Sequence, residues 1–211
     1  MELAKGAVIV VIAVLGLSGC GGGAVPADTA APLKDQMLEP GALGEREYGN
    51  RNAPVTIIEY ASLTCPHCRN YHAKVFPKVK RQYVDTGKVR YIIREFPIGR
   101  SAGTAAIATR CVPKNKYLPL VEAYLSRQSE WVSQDVRPDA IYSIAKSSGL
   151  SRAAFDKCRS NQTIIDGLTD VKQRGRKYGV IGTPTLFING QKLQGAVTFE
   201  EVKALIQPQA S

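Results

Sequence analysis

The chain has 211 residues, of which 44% are hydrophobic and 22% charged. This usage is that of an ordinary globular chain and excludes bulk disorder, collagen-like repeats and a polytopic membrane protein. The net charge is +10, yet the basic residues are scattered and never run to five in a row, so they read as a solvated surface and no nucleic-acid partner is expected.

The chain opens with Met1–Lys5 and then a twelve-residue apolar run, Gly6 to Leu17. A transmembrane helix needs about 20 apolar residues. Twelve suits the core of a signal peptide. Leu17-Ser18-Gly19-Cys20 follows, with small side chains before a cleavage point. This stretch resembles the bacterial lipobox, whose Cys becomes the lipidated first residue of the mature chain. Residues 1–19 are therefore expected as a signal peptide and Cys20 as a lipid site. An uncleaved signal anchor and an ordinary cleaved signal are the alternatives. Three acyl chains on Cys20 would anchor stably, since two suffice. Gly21 in place of Asp favours the outer membrane if the cell is Gram-negative. Residues 20–47 are Gly/Pro/Ala-rich with little periodicity, and read as a flexible tether reaching about 30 Å.

Val55–Tyr60 is a β-branched run and predicts a buried strand. A helix is expected from Pro66 to Tyr83, with Tyr71, Val75, Val79 and Tyr83 on one face and a kink at Pro77. Val89–Ile93 is the next strand. Strand, helix and strand in this order imply a parallel βαβ unit. Helical patterns follow at Lys116–Glu130, Asp139–Ser148 and Arg152–Ser160, punctuated by Pro, Gly and Ser. A longer helix carries Ile164, Leu168, Val171, Gly175 and Tyr178. Thr185–Ile188, Asn189-Gly190 and a short run to Gly195 predict a hairpin. Thr198–Ile206 closes as an amphipathic helix with Thr198 as its N-cap. The expected fold is α/β, a four-stranded sheet built from residues 48–100 and 162–211, with an all-helical block over 101–161 inserted between the two parts.

Cys65-Pro66-His67-Cys68 stands where the first strand passes into a helix. A helix N-terminus offers unpaired N–H groups and a partial positive charge, which stabilise a thiolate. Pro66 suits the first turn because it has no N–H to leave unsatisfied. His67 adds positive charge. Together these lower the pKa of Cys65 and make it both nucleophile and leaving group. Cys68, one turn inward, is the expected resolving thiol. A Cys-x-x-Cys is also half of a zinc site, but no second pair completes one. No resident metal or cofactor is expected. A structural disulfide at the helix start is the other alternative.

With Thr183-Pro184 before the Asn-Gly hairpin and a helical block between the two motifs, the chain resembles DsbA-family thiol:disulfide oxidoreductases over about residues 48–206. The resemblance implies a thioredoxin fold with an inserted all-helical subdomain. It implies that Pro184 is a cis-proline packed beside Cys65, leaving the preceding backbone free to pair with a substrate strand. Thr183 would flank the thiolate, and Glu59 would be a buried acid that relays protons during exchange. The alternative for Glu59 is an acid that reaches solvent at a strand edge. Thr183 departs from the Val of the best-known strong oxidases, which bears on the direction of exchange and not on its chemistry.

Cys111 and Cys158 remain. In an exported, oxidising setting stray thiols are a liability, so a structural disulfide between two insertion helices is expected, against two unpaired buried thiols. Some alphaproteobacterial members of the family carry a second cysteine pair. The resulting expectation is an exported enzyme, lipid-anchored and monomeric in the periplasm or cell envelope. It donates the Cys65–Cys68 disulfide to cysteine-containing proteins and is reoxidised by a membrane partner. The alternatives are an isomerase or reductase using the same site, and a metal chaperone with a copper site at Cys65, His67 and Cys68.

Overall fold

The computed structural model describes residues 35–207. The expected signal peptide, the Cys20 lipid site and the tether up to residue 34 lie outside the described residues. Within them a five-stranded sheet forms, in the order β1-β3-β2-β4-β5. At its centre β2 (Val55–Ala61) runs parallel to β3 (Val89–Glu95) and antiparallel to β4 (Thr185–Ile188). Both central strands are almost wholly buried, which is why they read as continuous apolar runs rather than alternating ones. The hairpin partner β5 (Gln191–Gln194) follows Asn189-Gly190, both at positive φ, the turn that matches strand twist.

β1 (Arg46–Tyr48) adds an edge strand, antiparallel to β3, that the sequence pattern misses. Its position corrects the C-terminal end of the expected tether. From residue 35 the chain is packed on the domain: Met37 is 3% exposed. Arg94 donates to the Glu39 carbonyl and pairs with Glu45, Arg110 donates to the carbonyls of Leu43 and Gly44, and the Tyr178 hydroxyl donates to the Gln36 carbonyl. Leu43 lies against Gly167, where any Cβ would collide with it. All these partners come from residues 94–178, so local periodicity carries no trace of them.

The crossover from β2 to β3 begins with α1 (Pro66–Lys74). The expected single helix is broken instead of kinked. Val75 ends α1, and α2 (Phe76–Val79) starts with Pro77 in its first turn, where the missing N–H leaves no bond unmade. A wide turn over Lys80–Val84 completes the crossover.

Between β3 and the long helix the described residues are helical: α3 (Gly99–Arg110), α4 (Lys114–Ser126), α5 (Gln128–Trp131), α6 (Pro138–Ala145) and α7 (Arg152–Arg159). The expected Lys116–Glu130 helix divides at Arg127 into α4 and α5. The block shares one core with the sheet. Trp131, Tyr117, Tyr124 and Phe155 belong to the same buried cluster as Ile57, Tyr91 and Ile93. α8 (Gln162–Lys177) covers the other sheet face, where Ile58, Tyr60, Ile92 and Phe187 pack with Val171. α9 (Phe199–Ile206) starts with a complete capping box between Thr198 and Glu201.

Candidate active site

Cys65 occupies the N-cap position of α1, with extended backbone and Pro66 as the first helical residue. Cys65 is half-buried and Cys68 fully buried, and both are free thiols. His67 is exposed beside them. The loop before the helix is held from several sides. The Thr64 hydroxyl donates to the Ile98 carbonyl at 3.1 Å, and the Ile98 N–H donates to Ser62 Oγ at 3.2 Å. From the helical block, Gln128 Nε2 donates to the carbonyls of Leu63 (2.8 Å) and Cys65 (3.0 Å).

Across from the sulfur, the Thr183-Pro184 peptide is cis. The Cys65 thiol donates to the Thr183 carbonyl at 3.1 Å. Thr183 Oγ1 is buried with no partner among the described residues, and it is placed to donate to the sulfur once that sulfur is a thiolate. Pro184 contributes no N–H, and its own carbonyl accepts from the Gly195 N–H at 3.0 Å.

These contacts separate the two thiols. The Cys68 thiol acts first as a donor to the Cys65 sulfur. With the Thr183 hydroxyl and the backbone N–H groups of Cys68 and His67, it outweighs partial burial and draws the Cys65 pKa down to about 5. Burial, then the bond to Cys65, then the charge of Glu59 push the Cys68 thiol well above its ordinary value. The arrangement makes one sulfur a thiolate at neutral pH and keeps the other a protonated donor.

Glu59 does not reach solvent at a strand edge. It sits on the central strand, fully buried. Its carboxylate is met by His72 Nε2 at 3.0 and 3.1 Å and accepts from the Tyr91 hydroxyl at 2.8 Å. The Tyr71 hydroxyl lies 3.1 Å from that of Tyr91. The strand period explains the encounter: Ile57 pairs with Tyr91 and Glu59 with Ile93, so Tyr91 and Glu59 share a face one pair apart. His72 and Cys68 stand four residues apart on one face of α1. The sequence offered that spacing as a signal for His72. It offered none for Gln128 or Tyr91, which reach the site only through tertiary packing.

The structure joins Cys111 at the end of α3 to Cys158 in α7 by a disulfide, with Cα atoms 6.3 Å apart and 47 residues between them in sequence. Among the described residues no three or more His, Cys, Asp or Glu side chains gather as they would to hold a metal ion, and no helix is long and apolar enough to cross a membrane.

A family model for thioredoxin matches residues 42–208. Among curated proteins, a putative protein-disulfide oxidoreductase of Rickettsia typhi is 33% identical over 146 residues, which are 67% of this chain and 53% of that protein. The chain thus spans about half the length of the Rickettsia relatives it matches. Disulfide bond formation protein D of Bacillus subtilis is 22% identical over 174 residues, 80% of this chain and 78% of that protein. Among solved structures, alpha-DsbA1 of Wolbachia pipientis superposes with a TM-score of 0.76 at 30% identity, covering 84% of this chain and 96% of that one. Oxidised BdbD of Bacillus subtilis superposes with a TM-score of 0.71 at 22% identity, covering 82% and 96%, a likeness of fold.

Proposed function

Because the chain belongs to the DsbA-type branch of the thioredoxin family, we propose that it is a protein-disulfide oxidoreductase that oxidises exported proteins through Cys65 and Cys68. The observation that carries this reading is the Cys65 sulfur, drawn to a pKa of about 5 at a helix N-terminus and facing the cis-proline loop. A stabilised thiolate belongs to the reduced form. Stabilising the reduced form makes the disulfide a stronger oxidant.

A substrate thiolate attacks Sγ of Cys65 in the Cys65–Cys68 disulfide. The Cys65–Cys68 bond breaks, a substrate–Cys65 bond forms, and Cys68 leaves as a thiolate that takes up a proton. A second substrate thiolate attacks the substrate sulfur of that mixed disulfide, and Cys65 leaves as the stabilised thiolate. The substrate loses two electrons and gains a disulfide, and the protein gains them as its dithiol. Glu59, held by His72 and Tyr91 near Cys68, is the acid–base group that passes the proton Cys68 takes up here and takes it back when the dithiol is reoxidised. Thr183 and Pro184 present backbone to the substrate strand.

The leader and the Leu17-Ser18-Gly19-Cys20 run support export and a lipid anchor at Cys20, with the domain, taken as a monomer, held in the periplasm or cell envelope. A membrane redox partner would remove the two electrons. The Cys111–Cys158 disulfide would then be structural. The deciding measurement is the equilibrium potential of the Cys65/Cys68 pair against glutathione. The expected value lies toward DsbA's about −120 mV, with the disulfide form less stable than the dithiol. A value near thioredoxin's about −270 mV overturns the oxidase direction.

A further inference from the structure

Beside the redox site, α3 and α8 run past each other and leave an open groove of about 440 Å³. Gly99, Gly103 and Ile107 recur at four-residue steps on one wall, and Ile165, Leu168 and Lys172 at three and four on the other. Gly103 keeps the groove deep, since a Cβ there would meet nothing within 4 Å. The floor is apolar and the rim is cationic. Arg100, Lys172 and Arg176 line it, and no Asp or Glu does. Among the described residues the Arg100 side chain pairs only with Asp135, at 4.0 Å with both side chains in solvent. The Lys172 amine donates to the Pro97 carbonyl at 2.6 Å, and Arg176 makes no ion pair among the described residues. Partial burial, and after it the charge of Arg176, lower the Lys172 pKa.

The groove is tied to the loop that carries the thiols. Its near end includes Pro97, next to Ile98, whose carbonyl is held by Thr64, the residue before Cys65. α8 leads on through Ile181 to Thr183. Ile98 is 49% exposed and Ile181 82%, the exposed large apolar side chains among the described residues; Ile98 precedes α3 and Ile181 follows α8. We infer that the groove between α3 and α8 seats an extended segment of the protein that exchanges with Cys65, a segment carrying apolar side chains and carboxylates near its reactive cysteine. The inference rests on the proposed exchange reaction. Apolar side chains would fill the Ile107–Leu168 floor, and carboxylates would meet Arg100 and Arg176, which steers encounter and selects among partners.

The test uses the full chain and two matched cysteine peptides, one flanked by Asp, Leu and Glu, the other by Lys, Leu and Arg. The acidic peptide should show about a tenfold lower KM at low salt, and the difference should fade as added salt screens exposed charges. Arg100→Glu/Arg176→Glu should reverse the preference, and Gly103→Leu, which fills the groove, should weaken both peptides. Oxidation of a small dithiol should stay unchanged in all three proteins. Binding of the same labelled peptides with Ser in place of Cys reads the groove without any exchange, so loss of small-dithiol oxidation would count against the proposed reaction alone. Equal affinity for the two Ser peptides, or charge reversal that weakens binding to phosphatidylglycerol vesicles and leaves peptide affinity unchanged, overturns the inference.

Discussion

Glu59 Oε2 lies 3.0 Å from His72 Nε2 with both side chains sealed from solvent, and His72 stands one turn beyond Cys68 on the helix that carries the thiols. His72 Nδ1 is buried with no partner among the described residues. A proton on that nitrogen would be orphaned, so the ring keeps its proton on Nε2, facing the carboxylate. The pair is thereby a fixed device: an imidazole N–H and the Tyr91 hydroxyl aimed at one carboxylate. Removing one member strands the other. His72→Leu should destabilise the protein by on the order of 3 kcal/mol, and Glu59→Leu/His72→Leu should recover most of that, because an apolar pair of similar volume carries no desolvation penalty. The double variant should still slow exchange, since Cys68 loses the group that passes its proton. Denaturant melts beside single-turnover kinetics check this. A double variant with wild-type exchange rates would remove Glu59 from the mechanism.

The pKa of Cys65 links stability to pH. Its folded value of about 5 lies below the free thiol's about 8.5. For a lowered acid the stabilisation is complete above the unfolded pKa and is lost as pH falls through the folded one. The reduced protein should therefore gain stability over the oxidised protein as pH rises from about 5 to about 8.5. Thiolate absorbance near 240 nm should titrate with a midpoint near 5. The potential should change by about 30 mV per pH unit above that midpoint, where one proton accompanies two electrons, and by about 59 mV below it.

His67→Pro should make the pair more reducing. The substitution removes the backbone N–H of residue 67 from the Cys65 sulfur as well as the ring. A hydrogen bond to a charged group is worth about 1.5–3 kcal/mol, which corresponds to roughly 30–60 mV for this couple. Glutathione equilibration reads the shift directly. An unchanged potential would mean that Cys68 and Thr183 hold the thiolate by themselves.

Gln128→Ala tests whether the helical block positions the site. It leaves the buried carbonyls of Leu63 and Cys65 without their side-chain donor, at a cost of about 1–3 kcal/mol. The loop before α1 should exchange its amides faster, and the Cys65 titration should broaden or move.

Cys111→Ser/Cys158→Ser opens a loop of 47 residues. The chain-entropy account gives about 4 kcal/mol as an upper figure for the stability lost. Melting temperature should fall while exchange at Cys65 keeps its single-turnover rate. A changed rate with unchanged stability would give this disulfide a role beyond holding α3 to α7.

The redox motif, the βαβ start, the hairpin and the existence of the helical block are legible in the chain, because each is a local matter. Cys-Pro-His-Cys at a strand-to-helix junction defines its own electrostatics, β-branched runs announce buried strands, and Asn-Gly supplies the positive φ its turn needs. What local pattern cannot show is which distant groups meet. Three residues of edge strand, Arg46–Tyr48, are too few to carry a period. The segment before them reads as tether until Arg94, Arg110 and Tyr178 arrive to satisfy its carbonyls. Glu59 became a buried acid, not a solvated one, only when β2 was placed between β3 and β4 and His72 and Tyr91 converged on it. A thiolate can be prepared by four consecutive residues, but a charge can be kept inside a core only by partners that folding brings from elsewhere.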